Sequence, residues 1–194
     1  MKHIKLLALA LSIVFATACK DNKKETETEM ETEVEETMEN EKVMSKELSF
    51  KLTPKSDSNV SGKVEFKQKG NKVTMSAKMS GLTPGTHAIH IHAEADCSSP
   101  DGTSTGGHWN PTAQPHGKWG DEAGYHKGDI GNFEVGEDGI GNVLFSTDQW
   151  CIGCGDETKD ILGKAIIVHQ GTDDFTSQPS GAAGSRVSCG GIIE

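Results

Sequence analysis

Short runs in which apolar and polar residues alternate recur along most of this chain, and they constrain the fold more than any other feature. Alternation with a period of two places every second side chain on the same face of an extended strand. Turn residues such as Gly, Pro and Asn separate most of the runs. Eight runs are present, at 48–53, 60–68, 72–79, 87–92, 129–135, 140–146, 164–169 and 186–193. They predict an all-β domain, an eight-stranded antiparallel Greek-key sandwich or barrel.

Two connections between the predicted strands are unusually long, at about 93–128 and 170–185. The composition agrees with long loops, since the chain has 23 Gly, 5% aromatic residues and no run with helical periodicity. Long loops without secondary structure are usually functional in a small domain. We therefore expect the functional residues to lie in or beside these two connections.

The N-terminus has the pattern of an export signal. Lys2 and Lys5 precede an apolar run at 6–18, whose 13 residues are too few to span a bilayer. The tripeptide Ala-Thr-Ala then precedes Cys19 and resembles a bacterial lipobox, in which the cysteine is diacylated and becomes the new N-terminus. We predict a signal peptide at 1–18 and a lipid on Cys19 that tethers the protein to a membrane of the bacterial cell envelope, periplasmic or at the surface. An ordinary signal peptide, cut to leave Cys19 as a free thiol, is the alternative.

The residues after Cys19 change character at once. Residues 20–47 contain 11 acidic and 5 basic residues and no aromatic residue. Such a segment cannot bury a core, so we predict a disordered acidic linker over 19–47, with a solvated acidic helix as the alternative. The folded domain is then predicted at 48–194.

The charge of the predicted domain excludes one class of partner. Residues 48–194 carry 12 basic and 18 acidic residues, and Arg186 is the only arginine in the chain. A nucleic-acid-binding domain would need a basic patch, and none is present in the sequence.

The five cysteines fit an oxidising compartment. With Cys19 set aside as the lipid site, the other four cysteines allow three pairings. Because Cys151 and Cys154 are close neighbours in the sequence CIGC, the pairing 151–154 with 97–189 is the natural choice.

Six histidines and one aspartate form a pattern that indicates metal binding. His90 and His92 are two residues apart on a predicted strand and therefore share a face. The others lie in or next to the two long connections, at His108, His116, His126, Asp129 and His169. Imidazole suits both copper and zinc, and a carboxylate three residues from a histidine favours zinc for that subset. A single histidine is more often structural, but six of the seven in the domain fit one pattern.

Six motifs occur in order along residues 47–194. They are His-x-His at 90–92, GGHWNP at 106–111, HGKWGD at 116–121, HKGDIGN at 126–132, IIVHQGTDD at 166–174 and GAAGSRVSCG at 181–190. No single motif is decisive, but their ordered combination resembles the copper–zinc superoxide dismutase family. The resemblance implies an eight-stranded sandwich fold and a catalyst that attracts its anionic substrate electrostatically, both of which are general properties of that enzyme.

The resemblance also implies roles for individual residues. Copper would bind His90, His92, His108 and His169, and zinc would bind His108, His116, His126 and Asp129, with His108 as the shared bridge. Asp173 would accept hydrogen bonds from a copper and a zinc ligand, His90 and His116, whereas Asp174 is interpreted as a solvated loop residue. Arg186 would lie beside copper at the mouth of the channel, and Cys97 would pair with Cys189. His87 matches a structural position and is not expected to be a ligand.

The implied activity is the dismutation of superoxide to dioxygen and hydrogen peroxide, with one copper and one zinc per subunit, and a homodimer as one candidate assembly. Lys118 and Lys127 are candidates for attracting the anion. The Cys151–Cys154 pair departs from the family pattern, and we interpret it as a local staple, with an extra metal or redox site and reduced or intermolecularly bonded thiols as the alternatives. Two other functions compete with dismutation: a periplasmic copper-binding or chaperone protein on the same fold, and a copper-only enzyme.

Overall fold

The computed structural model describes residues 45–194, so the predicted signal peptide, Cys19 and the linker up to residue 44 lie outside the described residues. Within that range the only helix is one turn of 3-10 helix, Thr103–Thr105, and no helix has the length and hydrophobicity to cross a membrane. Eight strands follow one another: β1 (Ser45–Pro54), β2 (Ser61–Lys69), β3 (Lys72–Ser80), β4 (Gly85–His92), β5 (Gly131–Val135), β6 (Gly141–Thr147), β7 (Ala165–His169) and β8 (Arg186–Gly191).

Strand β1 begins at residue 45, before the domain boundary predicted at residue 48. Residues 45–47 pair with residues 67–69 of β2, and all three are exposed. Exposure on both faces removes the alternation that marks a strand in sequence. The hydrogen bonds offered by β2, rather than side-chain burial, therefore explain why this end of the predicted linker is extended.

The eight strands close into a barrel in the order β1-β2-β3-β6-β5-β4-β7-β8, with antiparallel neighbours throughout. Strand β3 pairs with β6 rather than with β4, so the chain crosses the barrel end twice, as a Greek key requires. The predicted all-β, eight-stranded antiparallel Greek-key fold is confirmed, in its barrel form. Pairing is weakest between β5 and β6, which share only the Val135–Gly141 pair.

Alternation decides which side chains fill the barrel. On β2 the side chains of Val64 and Phe66 are fully buried, and on β3 those of Val73 and Met75 are fully buried. Trp150, from the connection after β6, packs edge-on against Phe66 with 6.2 Å between the ring centroids. Burial of each large apolar side chain contributes about 1.5–3 kcal/mol, so this core stabilises the barrel.

Burial does not alternate along β4 and β7, because both of their faces are buried. Ile89 and Ile91 of β4 belong to the core, yet His90 and His92 on the opposite face are no more than 1% exposed. All five residues of β7 are buried as well. The two long connections cover this outer face, which makes it a polar layer enclosed between barrel and loops.

A third long connection, residues 148–164, joins β6 to β7; it lies between the predicted strands 140–146 and 164–169 but was not named among the long connections. It contains the Cys151–Cys154 disulfide. The Asp160 carboxylate accepts three backbone N–H groups of the same segment at 2.8, 2.9 and 3.1 Å. The disulfide and this carboxylate stabilise a compact loop, in line with the staple interpretation.

The second disulfide joins distant parts of the chain. Cys97, in the first long connection, pairs with Cys189 on β8 across a sequence separation of 92 residues, with the two Cα atoms 5.9 Å apart. This bond attaches the start of the first long connection to the barrel wall.

We expect the Cys97–Cys189 bond to contribute more stability than the Cys151–Cys154 bond. In the loop-entropy model a closed loop of about 90 residues contributes about 4–5 kcal/mol, and one of about four residues contributes about 2 kcal/mol. In urea titrations of the metal-free protein, the Cys97→Ser/Cys189→Ser variant should lose more than twice the unfolding free energy that the Cys151→Ser/Cys154→Ser variant loses. Equal losses would contradict this ranking, and a peptide that links Cys97 to Cys151 would contradict the pairing.

Candidate metal centre

Four imidazoles converge at the outer face of β4 and β7. His90 and His92 share a face of β4, and His169 ends β7, the neighbouring strand. His108 comes from the first long connection and is held beside β4 by a β-bridge with His92. One nitrogen from each of the four rings lies within 4.8 Å of the other three. We call these residues the four-histidine set.

A second group of donors adjoins the first and shares His108 with it. Its members are all buried and all lie between β4 and β5: His108, His116, His126 and Asp129. Their ligand atoms also lie within 4.8 Å of one another. The Asp129 N–H donates to the His126 carbonyl at 3.1 Å, and this tight turn brings the carboxylate beside the ring. We call these residues the Asp129 set.

Six imidazole nitrogens of the two sets are buried without a hydrogen-bond partner. They are His90 Nδ1, His92 Nε2, His108 Nε2, His116 Nδ1, His126 Nδ1 and His169 Nε2, and no other buried side-chain nitrogen or oxygen in residues 45–194 lacks a partner. An unpaired buried polar group costs about 1–3 kcal/mol, so six of them in one place indicate common partners. Metal ions are partners that accept lone pairs from several imidazoles at once.

In five of the six rings the opposite nitrogen is paired, and this fixes how each of those rings is turned. His92 Nδ1 donates to the Gly106 carbonyl at 2.9 Å, and His169 Nδ1 donates to the Gly184 carbonyl at 3.4 Å. A proton on Nδ1 leaves the lone pair on Nε2, the unpartnered nitrogen. Hydrogen bonds of this kind select the tautomer that a metal ligand needs.

The Asp129 carboxylate lies close to all three imidazoles of its own set. Oδ1 is 2.8 Å from His108 Nδ1 and 3.2 Å from His126 Nδ1, and Oδ2 is 3.0 Å from His116 Nδ1. The contacts to His116 and His126 lack hydrogen-bond geometry, although the atoms are near enough. The two ring nitrogens and the carboxylate oxygens therefore point toward a common position rather than toward each other. Three nitrogens and one carboxylate oxygen form a donor set that suits zinc.

A second buried carboxylate, Asp173, connects the two sets. Its Oδ2 accepts a hydrogen bond from His90 Nε2 at 2.9 Å, and its Oδ1 accepts one from His116 Nε2 at 2.8 Å. Each bond turns the Nδ1 of its ring toward a set of unpartnered donors. These are the two histidines that the family resemblance assigned to Asp173. The exposed Asp174 beside it caps its own loop by accepting the backbone N–H groups of residues 176 and 177.

Gly181 makes the contact between Asp173 and His116 sterically possible. A Cβ atom at this position would overlap both Asp173 Oδ1 and His116 Nε2. Its φ of +66° lies in the left-handed region, which also favours glycine. The first glycine of the GAAG motif is therefore required by the site as well as by the turn.

Two amide side chains hold this carboxylate bridge in place, and neither was predicted. Asn132 accepts the Asp173 N–H and donates to the Asp173 carbonyl, both at 2.8 Å. Gln178 makes the same reciprocal pair with the backbone of His116, both at 2.9 Å. Asn132 ends the HKGDIGN motif, which was a usable signal, whereas nothing in the sequence marks Gln178.

Burial keeps three rings of the four-histidine set neutral. Desolvation lowers the pKa of His92 and of His169 well below the ordinary value, and neighbouring imidazoles lower it further. Desolvation also lowers the pKa of His108 to about 4, although Asp129 acts in the opposite direction. Neutral imidazoles can bind a cation at neutral pH without first losing a proton.

In the Asp129 set, the carboxylates of Asp129 and Asp173 act against the lowering of histidine pKa by burial. Burial lowers the pKa of His116, but the nearby carboxylates of Asp129 and Asp173 outweigh burial and raise the pKa to about 9. Burial raises the pKa of both carboxyl groups, and their hydrogen bonds from histidines outweigh it and lower the pKa well below the ordinary value. The metal-free set therefore holds a proton on His116 at neutral pH. A metal must displace that proton, so its affinity for this set should fall as pH falls.

Arg186 lies next to the four-histidine set. It opens β8 and pairs with His169 at a β-bulge. Its Nη1 donates to the Gly102 carbonyl at 2.8 Å and to Thr105 Oγ1 at 3.0 Å. Within residues 45–194 no carboxylate forms an ion pair with it, so the guanidinium is a positive charge that an anion could approach.

His87 is buried but belongs to neither set. Its Nδ1 lies 3.0 Å from the His169 carbonyl oxygen, and its Nε2 lies 2.8 Å from the Thr83 carbonyl oxygen. Both ring nitrogens therefore have protein partners, which is the structural role expected for this histidine.

Replacement of Asp129 should remove metal from the Asp129 set and leave metal binding by the four-histidine set unchanged. In the Asp129→Ala variant we expect zinc content to fall strongly while copper still binds, because Asp129 contributes no donor to the four-histidine set. Elemental analysis of purified protein after dialysis measures both metals. Asp121→Ala, which removes an exposed carboxylate from the same connection, is the matched control and should keep both. Equal zinc in the Asp129→Ala variant and the wild type would falsify the assignment.

Comparisons with known proteins agree with this geometry. Residues 60–192 match the family model for copper/zinc superoxide dismutase (SODC). Among solved structures, a SOD-like protein from Bacillus subtilis is 31% identical with a TM-score of 0.67, and the match covers 75% of this chain and 97% of that chain. Two mutants of that protein, one with a proline replaced by histidine and one with a tyrosine also replaced by histidine, match at 32% identity with the same TM-score and coverage. The matched range contains both donor sets, Asp173 and Arg186, and the chain belongs to the copper/zinc superoxide dismutase family.

Proposed function

We propose that this chain is an exported copper–zinc superoxide dismutase that protects the cell envelope from superoxide. The observation that carries the proposal is the position of His108 between the two donor sets. Its unpartnered Nε2 belongs with the four-histidine set, and its Nδ1 lies 2.8 Å from Asp129 in the other set. A single imidazole is shared by two cation sites, and a guanidinium without an ion-pair partner lies close by. This arrangement suits redox chemistry on a small anion.

The proposed reaction is balanced over two superoxide ions. One superoxide loses an electron and leaves as dioxygen, and a second gains that electron and two protons and leaves as hydrogen peroxide. Copper in the four-histidine set would supply the one-electron exchange, and zinc in the Asp129 set would supply a fixed charge without redox activity. The protein must then position the anion and deliver protons.

His108 is placed to deliver one of the protons. An imidazole gives up its second proton readily only where two cations compensate the charge, and His108 is the only residue common to both sets. While Nδ1 stays with the Asp129 set, Nε2 can hold a proton in one half-reaction and donate it to the departing peroxide in the next. The His108 side chain is only 1% exposed, which limits competing exchange with bulk water.

Arg186 is placed to attract and orient the anion. Residues 48–194 contain 18 acidic and 12 basic residues, so the average field of the domain repels superoxide. Lys127 is engaged elsewhere, because its ammonium group contacts Gln149 and lies 5.8 Å from the centre of the Tyr125 ring. The Lys118 ammonium group makes no hydrogen bond or ion pair in the described chain, but the residue is exposed, so solvent and salt screen its charge. The local attraction is therefore assigned chiefly to Arg186.

The proposed location is the envelope of a bacterial cell, where a lipid on Cys19 would hold the protein at a membrane. The signal-like residues 1–18, the lipobox-like tripeptide and the acidic linker support this location. The two disulfides of the domain are also typical of an oxidising compartment outside the cytosol.

Variants of Arg186 should rank by charge and shape. Arg186→Ile should lower the rate of superoxide removal about tenfold or more, equivalent to at least about 1.4 kcal/mol, because both the attraction and the docking hydrogen bonds are lost. Arg186→Lys should retain more activity than Arg186→Ile, and Arg186→Glu should retain least. The wild-type advantage should shrink as salt rises. Superoxide decay after a pulse, followed at several ionic strengths, measures all four proteins.

Both metals should remain in every one of these variants, since no ligand is altered. A different activity order at constant metal content would show that Arg186 does not guide the anion. A metal-loaded wild type that leaves superoxide decay at the rate of buffer would contradict dismutation and favour the copper-binding alternative.

Substitution of Cys19 tests the membrane tether. In detergent phase separation the wild type should enter the detergent phase, and Cys19→Ala should appear in the aqueous phase or remain unprocessed. Cys154→Ala, at an exposed cysteine of the described domain, is the control and should partition like the wild type. A wild type found in the aqueous phase would show that Cys19 carries no lipid.

A further inference from the structure

A buried threonine helps to hold the guanidinium of Arg186. Thr105 ends the 3-10 turn, three residues before His108, and is 0% exposed. Its hydroxyl donates to the Gly102 carbonyl at 2.9 Å and lies 3.0 Å from Arg186 Nη1. The Gly102 carbonyl also accepts a hydrogen bond from Arg186 Nη1 at 2.8 Å. Three groups thus form a closed triangle of hydrogen bonds.

The direction of each bond in this triangle follows from the donor and acceptor inventory. A carbonyl oxygen cannot donate, so the single hydroxyl proton of Thr105 goes to Gly102, and the Thr105 oxygen must accept from Arg186. The two N–H groups of Arg186 Nη1 are then both used. The three remaining N–H groups, one on Nε and two on Nη2, stay free to meet an anion.

Two other carbonyl groups of the same loop are engaged elsewhere. The carbonyl oxygens of Cys97 and Ser99 accept hydrogen bonds from the Lys55 ammonium group. The aliphatic part of Arg186 is also confined, because a Cβ at Gly102 would lie 3.4 Å from its Cβ and Cδ atoms. Packing therefore fixes the aliphatic part of the Arg186 side chain, whereas the rotation of its guanidinium depends on Gly102 and Thr105.

We propose that Thr105 is a positioning residue, which fixes the rotation of the Arg186 guanidinium so that Nε and Nη2 face the approaching anion. This inference rests on the proposed function for one point only, namely that the anion is superoxide. The hydroxyl at position 105 acts through Arg186 and contacts neither the substrate nor the donor sets.

The only arginine in the chain allows a direct test that needs no activity. Protein labelled with ¹⁵N-arginine and loaded with copper(I) and zinc, which are diamagnetic, gives a single set of guanidinium signals. We expect resolved Nη1 and Nη2 signals in the wild type and in Thr105→Ser, and averaged signals in Thr105→Val, which is almost isosteric but lacks the hydroxyl. Averaged signals in the wild type, or resolved signals in Thr105→Val, would overturn the proposal.

The second test asks whether Thr105 acts through Arg186. Azide binding to the copper(II)–zinc protein, followed optically, and superoxide decay are measured for wild type, Thr105→Val, Arg186→Ile and the double variant. Thr105→Val should weaken azide binding and slow decay by about threefold each, and Thr105→Ser should stay near wild type. In the Arg186→Ile background, Thr105→Val should change neither quantity.

Each outcome separates the two proposals. Loss of metal, or an equal effect of Thr105→Val in both backgrounds, would assign Thr105 to packing instead of positioning. If the wild type fails to remove superoxide but Thr105→Val still weakens azide binding through Arg186, the proposed activity is wrong and the positioning role of Thr105 stands.

Discussion

Six buried imidazole nitrogens without protein partners are the constraint on which the rest of this molecule depends. At about 1–3 kcal/mol each, their combined cost is comparable with the whole stability of a small domain. The barrel must therefore be stable enough to hold them in place before a metal arrives. Its core of fully buried side chains, such as Phe66, Met75 and Ile166, and the Cys97–Cys189 bond provide that stability away from the polar layer. Metal binding then relieves the cost and couples occupancy of the site to the stability of the fold.

The two long connections are held through the site as much as through their own backbone. Asp173, in the connection before β8, accepts hydrogen bonds from a histidine of β4 and from His116 in the connection before β5. Gln178 and Asn132 reinforce the same contacts from opposite ends. Each loop thereby orients ligands that another element supplies. A site of this kind can be built largely from loops. Reciprocal hydrogen bonds between side chains and backbone replace the backbone hydrogen bonds of helices and strands.

The sequence predicts the parts of this structure that depend on periodicity or motif spacing. Alternation identified eight strands, and the ordered motifs brought together the seven side chains that the structure groups into two donor sets. Residues 45–47 were assigned to the linker from its acidic composition, and the exposure of all three leaves no alternation that would have marked them as a strand. Gln178 and Thr105 have ordinary residue types, and their roles arise only when distant segments meet. Pairings of that kind leave no local pattern, so no analysis of a single sequence could have marked them.

The way Arg186 is held follows from what its charge must do. Burial lowers the pKa of a guanidinium, but an arginine stays protonated under any physiological condition, so the cost of burial must be offset by hydrogen bonds. A carboxylate would offset it best, yet it would also cancel the field that attracts an anion. A carbonyl and a hydroxyl, from Gly102 and Thr105, satisfy two N–H groups and leave the net charge intact. The domain is negative on average, so neutral acceptors are needed to hold the Arg186 guanidinium in place while its positive charge still attracts an anion.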